Sequence, residues 1–149
     1  MSESILNTLR AEHRETDELM VLIEGTDDVS YKKELYLQLK ENLMAHMEGE
    51  EKTLYAHLIQ DVHDEEAEEV ALQAEDEHAE VKDLFYKLDN IGIESDDWDS
   101  TFRELRDHVR QHVEEEESSL FAEAKEDFSR EELVEFGDEF AEAKQHPHL

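Results

Sequence analysis

The sequence predicts an all-α protein: an up-down-up-down four-helix bundle with a short fifth helix at its C-terminal end. Three observations lead there. Only four Gly and one Pro occur among 149 residues, and Glu, Leu and Ala, which favour helix, are abundant. Apolar residues recur at helical spacing along four long stretches. The breaks between these stretches are short, and short connections join helices that run antiparallel. The length suits a single domain, residues 1–149, able to bury a core without disulfides.

The first helix is expected from about Ser4 to Glu24, with Gly25 as its stop. Its inward stripe is Leu6, Leu9, His13, Met20 and Ile23. The second is expected from near Ser30 to about Gln60, with Leu35, Leu39, Leu43, His46, Glu50 and Leu54 on one face. Together they make a first hairpin, residues 1–60. The third, about Asp64 to Asp89, carries Ala71, Ala74, His78, Val81, Phe85 and Leu88, and ends at Asn90 and Gly92. The fourth follows the acidic loop "ESDDWD" and runs to about Lys125, with Trp98, Phe102, Leu105, Val109, His112, Glu116 and Leu120 facing inward. These two form the second hairpin, residues 64–125. An accessory helix, 129–145, opens at Ser129 with Glu132 as its capping-box partner. Its apolar face is Leu133, Phe136 and Phe140, and it is expected to dock outside the bundle. The end "QHPHL" is expected to fray.

Composition excludes several chemistries. There is no Cys, so thiol catalysis, cysteine-ligated zinc and iron–sulfur clusters are ruled out. The 44 acids against 14 Lys plus Arg give a net charge of −30. That argues against nucleic acid and against anionic membranes as partners. The start lacks the basic and apolar segments of a signal peptide, and no run approaches the ~20 apolar residues that span a bilayer. A cytoplasmic location is the expectation.

The two halves repeat. "AEHRETDELM" (11–20) matches "DEHAEVKDLF" (76–85), 65 residues on, and "HMEGEEKTLYA" (46–56) matches "HVEEEESSLFA" (112–122), 66 residues on. His13 thus pairs with His78, His46 with His112, Glu50 with Glu116, Leu54 with Leu120 and Tyr55 with Phe121. His13, His46, Glu50, His78, His112 and Glu116 all fall where the stripes predict core. Unpartnered buried polar groups cost several kcal/mol each, so these six must satisfy one another or share a cation. Depth allows it: His13 lies about 18 Å before its turn and His46 about 24 Å after it at helical rise, and the second hairpin repeats both spacings. Each H-x-x-x-E pair lies on one helix face.

Four imidazoles and two carboxylates exceed one tetrahedral zinc and hold too much nitrogen for calcium or magnesium. They suit two iron or manganese ions, each with two His, bridged by both carboxylates. With a solvent-derived bridge each ion keeps an open position for O2, peroxide or nitric oxide. A purely structural polar network of the six is the alternative.

Other residues read more plainly. Met47, Val113, Tyr55 and Phe121 are expected to wall the bundle. The acids beside Glu50 and Glu116 in "EGEE" and "EEEE" read as a solvated face. His57 and His108 lie near the stripes, as extra ligands or as donors to ligands, but neither has a matching His in the other half. His63, His146 and His148 read as exposed.

The constellation of His13, "HMEGE", His78 and "HVEEE" resembles the hemerythrin-like proteins, specifically the HHE cation-binding domain, over nearly the whole chain. "EELVEFGDEFAEAK" is also similar to a trailing helix found in many such domains. The resemblance implies a non-haem di-iron centre, two Fe ions with an oxo or hydroxo bridge, held by those six residues. Oxygen-carrying hemerythrins bring two histidines one turn apart on the third helix, where this chain has Ala74 one turn before His78. Their fourth helix carries Asp five residues after its His, where this chain has Glu116 at four. The resemblance is therefore to the more symmetric branch, associated with sensing of iron, oxygen or nitric oxide, peroxide chemistry and iron-centre repair. The cysteine-bearing N-terminal segment of the repair proteins is not found here. No output module accompanies the domain, so a sensing role implies a separate protein partner.

Overall fold

A computed structural model describes residues 3–145, all helix, turn or loop. His146 and His148 lie outside the described residues. Each long helix begins on a side-chain cap, which satisfies amide donors that the helix itself leaves free. In α1 (Ile5–Gly25) Ser4 Oγ accepts from the Leu6 N–H at 3.2 Å. In α2 (Val29–Lys52) the cap is Asp28, at 3.2 Å from the Tyr31 N–H. In α4 (Glu65–Asp89) Asp64 caps Glu66 at 3.0 Å, and in α5 (Asp96–Glu115) Ser95 caps Trp98 at 3.2 Å. Acids fill the first turns of α4 and α5, where the helix dipole favours them. The capping box of α7 (Arg130–Gln145) forms in both directions: the Ser129 N–H meets Glu132 Oε1 at 2.8 Å and the Glu132 N–H meets Ser129 Oγ at 3.1 Å.

The second and fourth helices depart from expectation in the same way. Neither is continuous. The second breaks at Thr53 and resumes as α3 (Leu54–Gln60). Thr53 sits at φ −118°, ψ −92°, and its hydroxyl bonds the Gly49 carbonyl at 2.7 Å. The fourth widens into a π-helical turn, Glu116–Leu120, before α6 (Phe121–Asp127). A residue four after each Glu and another five after it must both face inward; a regular helix would swing the latter aside. The wider turns bring in Leu54 with Tyr55, and Leu120 with Phe121, all buried.

The core has two apolar clusters with the six polar residues between them. One holds Ile5, Leu9, Leu54, Leu58, Ala71, Leu120 and Phe140. The other holds Met20, Leu39, Leu43, Val81, Phe85, Trp98 and Phe102. α7 docks on α1 and α2 rather than between the hairpins. Its approach is close: a Cβ on Gly49 would lie 2.6 Å from the Phe140 ring, and one on Gly137 2.7 Å from the Glu3 carbonyl. Among the described residues no helix is long and apolar enough to cross a membrane.

Candidate metal centre

All six predicted residues converge at mid-depth of the bundle. His13 comes from α1, His46 and Glu50 from α2, His78 from α4, His112 from α5, and Glu116 from the π turn; none is more than 8 % exposed. Every imidazole turns Nε2 inward. Glu50 Oε1 lies 3.2 Å from both His46 and His78 Nε2, so it reaches both hairpins. Glu116 splits its oxygens: Oε1 is 3.1 Å from His13 Nε2 and Oε2 is 3.3 Å from His112 Nε2. Two overlapping groups result, His13–His46–Glu50–Glu116 and Glu50–His78–His112–Glu116, each with ligand atoms within 4.8 Å of one another. The carboxylates common to both are Glu50 and Glu116.

The residues fit metal cations. His13 Nε2, both oxygens of Glu50 and Oε1 of Glu116 are buried without a hydrogen bond. Such orphaned atoms, at the centre of an otherwise well-capped protein, call for a positive ligand. Protons answer the same need. Burial lowers the pKa of His46, but the charge of Glu50 close by and the bond to Glu12 outweigh it and carry the value up to about 10. His112 is likewise lowered by burial and lifted to about 10 by Glu116 and Glu77. Glu116 is held well below the usual carboxylate range: burial opposes this, and the close approach of Glu50, His112 and His13 outweighs it.

A second layer of acids went unnoticed in the sequence. Each imidazole Nδ1 donates to an outer carboxylate: His46 to Glu12 at 2.9 Å, His78 to Glu51 at 2.7 Å, His112 to Glu77 at 2.6 Å and His13 to Glu117 at 2.6 Å. These bonds fix each ring with Nε2 free to face the centre. The four links form a closed circuit, α1 to α2 to α4 to α5 and, through the π turn, back to α1. Glu51 and Glu117 therefore correct the reading of their runs as solvated face. The sequence did carry a signal: Glu12 and Glu77 immediately precede matching histidines, and Glu51 and Glu117 immediately follow matching glutamates. The hydrogen bond from His112 is the main reason the Glu77 carboxyl is held down at about 2.

Tyr55 is the other correction. It walls the bundle, as expected, but its phenol also donates to Glu116 Oε2 and lies 3.3 Å from His78 Nε2. Burial first, then the charges of Glu116 and Glu50, raise its pKa well above normal, so the hydroxyl keeps its proton. His57 and His108 stand elsewhere. His57 stacks on Phe136 at 3.9 Å and pairs with Asp61 and Glu139, and His108 pairs with Glu80 at 3.3 Å on the surface. His63 is exposed.

Opposite the carboxylates, a cavity of about 10 Å³ touches all four imidazoles and is walled by Leu43, Met47, Val81, Val109 and Val113, with Thr16 as its one hydroxyl. That is room for about one water-sized molecule. From outside, a groove of about 290 Å³ between α4 and the π turn runs past Ala74 to His112 and Glu116.

Comparison with known proteins agrees with this geometry. The family model for the Hemerythrin HHE cation binding domain matches residues 4–124. A protein named "DNA nickase" from Nostoc sp. (strain PCC 7120 / SAG 25.82 / UTEX 2576) is 28 % identical over 141 residues, 95 % of this chain and 39 % of that protein. The chain thus spans well under half of that relative's length. No solved structure matches.

Proposed function

Because the chain belongs to the hemerythrin HHE cation-binding family, we propose that it holds two iron ions between its hairpins and engages O2, nitric oxide or a related small oxidant there, for sensing, storage or detoxification. His13 and His46 hold one ion, His78 and His112 the other, and Glu50 and Glu116 bridge them. The observation that carries this reading is the sharing of Glu50 and Glu116 by two separate ligand groups. Two irons, joined by an oxo or hydroxo bridge, would supply Fe2+/Fe3+ chemistry toward such ligands; manganese is the alternative metal.

The chain's own residues do the rest. The outer glutamates orient the imidazoles and, with the bridging pair, place six carboxylates around the centre, which favours a cluster of high positive charge. The small apolar-walled cavity favours a very small ligand and disfavours bulk water. The Ala74 groove offers a route from outside to His112 and Glu116. Tyr55, which keeps its proton, stands ready to donate a hydrogen bond beside the His78–His112 pair. That phenol favours a second reading, an enzyme that consumes peroxide at the same site. The nicking named for the Nostoc relative is not part of either reading, since a net charge of −30 repels DNA.

Metal analysis with visible spectra of oxidised and reduced protein tests the proposal. Two irons per chain are expected, with at most one left in Glu116→Ala. A chain grown with abundant iron that carries none would overturn it. Peroxide decay by the iron-loaded protein then separates the enzyme from the sensor or store.

A further inference from the structure

The repeat exposes a second site, at the far end of the apolar cluster that contains Leu58 and Ala124. In the first hairpin His57 and Asp61, one turn apart, form an ion pair at 2.5 Å. Moving 66 residues on, the same two places are taken by Glu123 and Asp127. A cation–anion pair in one half is replaced by two acids in the other. A third acid, the helix cap Asp64, joins them, and one carboxylate oxygen from each of the three lies within 4.8 Å of the others.

This crowding is not relieved by the chain. Glu123 is only 7 % exposed. Its Oε1 is buried without a hydrogen-bond partner, and so is Oδ2 of Asp127 beside it. Burial, then Asp127, Asp64 and Glu66, push the Glu123 carboxyl up to about 7. A buried, unpartnered carboxylate oxygen aimed at two further carboxylates draws positive charge from outside, as a proton or as a cation.

We propose that Asp64, Glu123 and Asp127 bind a hard divalent cation of the calcium–magnesium class, which does in the second hairpin what the His57 imidazolium does in the first. The donor set is all oxygen, unlike the nitrogen-rich centre, and so selects a different kind of ion. Asp64 is exposed, which leaves room for water to complete the coordination. The bound ion ties the start of α4 to the end of α6. This site does not depend on the identity of the metals held by the histidines.

Calorimetric titration of Ca2+, and separately Mg2+, into the iron-loaded protein in 0.15 M KCl tests it, alongside thermal melts. One ion per chain is expected, with at least tenfold weaker binding in Glu123→Gln and in Asp127→Asn. Glu123→His rebuilds the first hairpin's pair; it is expected to melt higher than wild type without divalent cation and to lose the calcium response. All three variants leave the six central residues untouched, and circular dichroism checks that each folds. Equal cation binding by wild type and every variant would mean a diffuse counter-ion cloud around an acidic surface, and would overturn the site. So would the lack of any saturable binding by wild type at millimolar calcium or magnesium.

Discussion

Each hairpin gives the centre two imidazoles and a carboxylate, yet the packing around the two sets differs. On the first, Leu9 fills the space one turn before His13, and Gly49 admits Phe140 of α7, whose ring meets His46 edge-on at 5.9 Å. Lys144 of α7 also bonds Glu12 at 2.5 Å, steadying the partner of His46. On the second, the matching residues are Ala74 and Glu115, and a groove past them reaches His112. The difference teaches that duplicated ligands do not make duplicate surroundings. The ring of acids and imidazoles repeats in both hairpins. The packing outside that ring is free to differ: α7 braces the first hairpin, and a groove passes Ala74 of the second. Tyr55 opposite Phe121, and Thr16 opposite Val81, extend that asymmetry to the immediate surroundings of the centre.

The largest expected effect tests what the hairpins share. Removing metal should loosen both at once, because each ligand group takes three residues from one hairpin and its fourth, a carboxylate, from the other. A loss of ~3 kcal/mol lowers the melting temperature of a chain this size by about 6–12 °C. Equal melting with and without chelator would leave the six residues a self-sufficient polar network. The pH dependence sharpens this. His46 and His112 are raised to about 10 in the folded, metal-free chain. Protonation therefore stabilises that form fully below about pH 6.5 and loses its effect as pH climbs through about 10. Metal-free protein should melt at falling temperature from pH 7 to 10, while loaded protein holds steady, with protons released on loading.

Next in size are the outer acids. Glu12→Gln and Glu77→Gln remove equivalent links of the ring, one braced by Lys144 and one unbraced. Each should weaken iron binding by ~10–100-fold, measured by competition with a chromogenic chelator. Unchanged affinity in both variants would reduce the ring to decoration. Smaller still, Ala74→Leu copies Leu9 into the second hairpin. It should slow the approach of azide or nitric oxide in stopped-flow spectra without lowering the melting temperature; unaltered rates would place the passage elsewhere. Tyr55→Phe copies Phe121 and removes one hydrogen bond, a net ~1 kcal/mol or about 2–4 °C. The visible spectrum or peroxide decay should change more than stability does.

The bundle and the six central residues were legible because they depend on period and repetition. A stripe of Leu, Val and Phe with His and Glu at fixed places can be read without coordinates. Glu51 and Glu117 were not, since a Glu in a run of Glu looks solvated unless one knows which imidazole stands across the helix gap. Tyr55 was hidden for a related reason: a regular second helix would carry it off the inward face, and only the break at Thr53 turns it toward Glu116. The break and the π turn have no compositional mark, as their residues are unexceptional for helix. His57 and His108 sat near the stripes on paper, but helix faces broaden toward the surface, and both found acids there instead.

The ring of glutamate–imidazole bonds alternates in origin. Glu12 and Glu77 serve a histidine of their own hairpin, whereas Glu51 and Glu117 serve one of the other. A lone hairpin thus owns every kind of group but can close just one bond in two, and the missing half has its own shape. The architecture is that of a pair of like subunits written on one strand, and a separated half would find completion only in its twin.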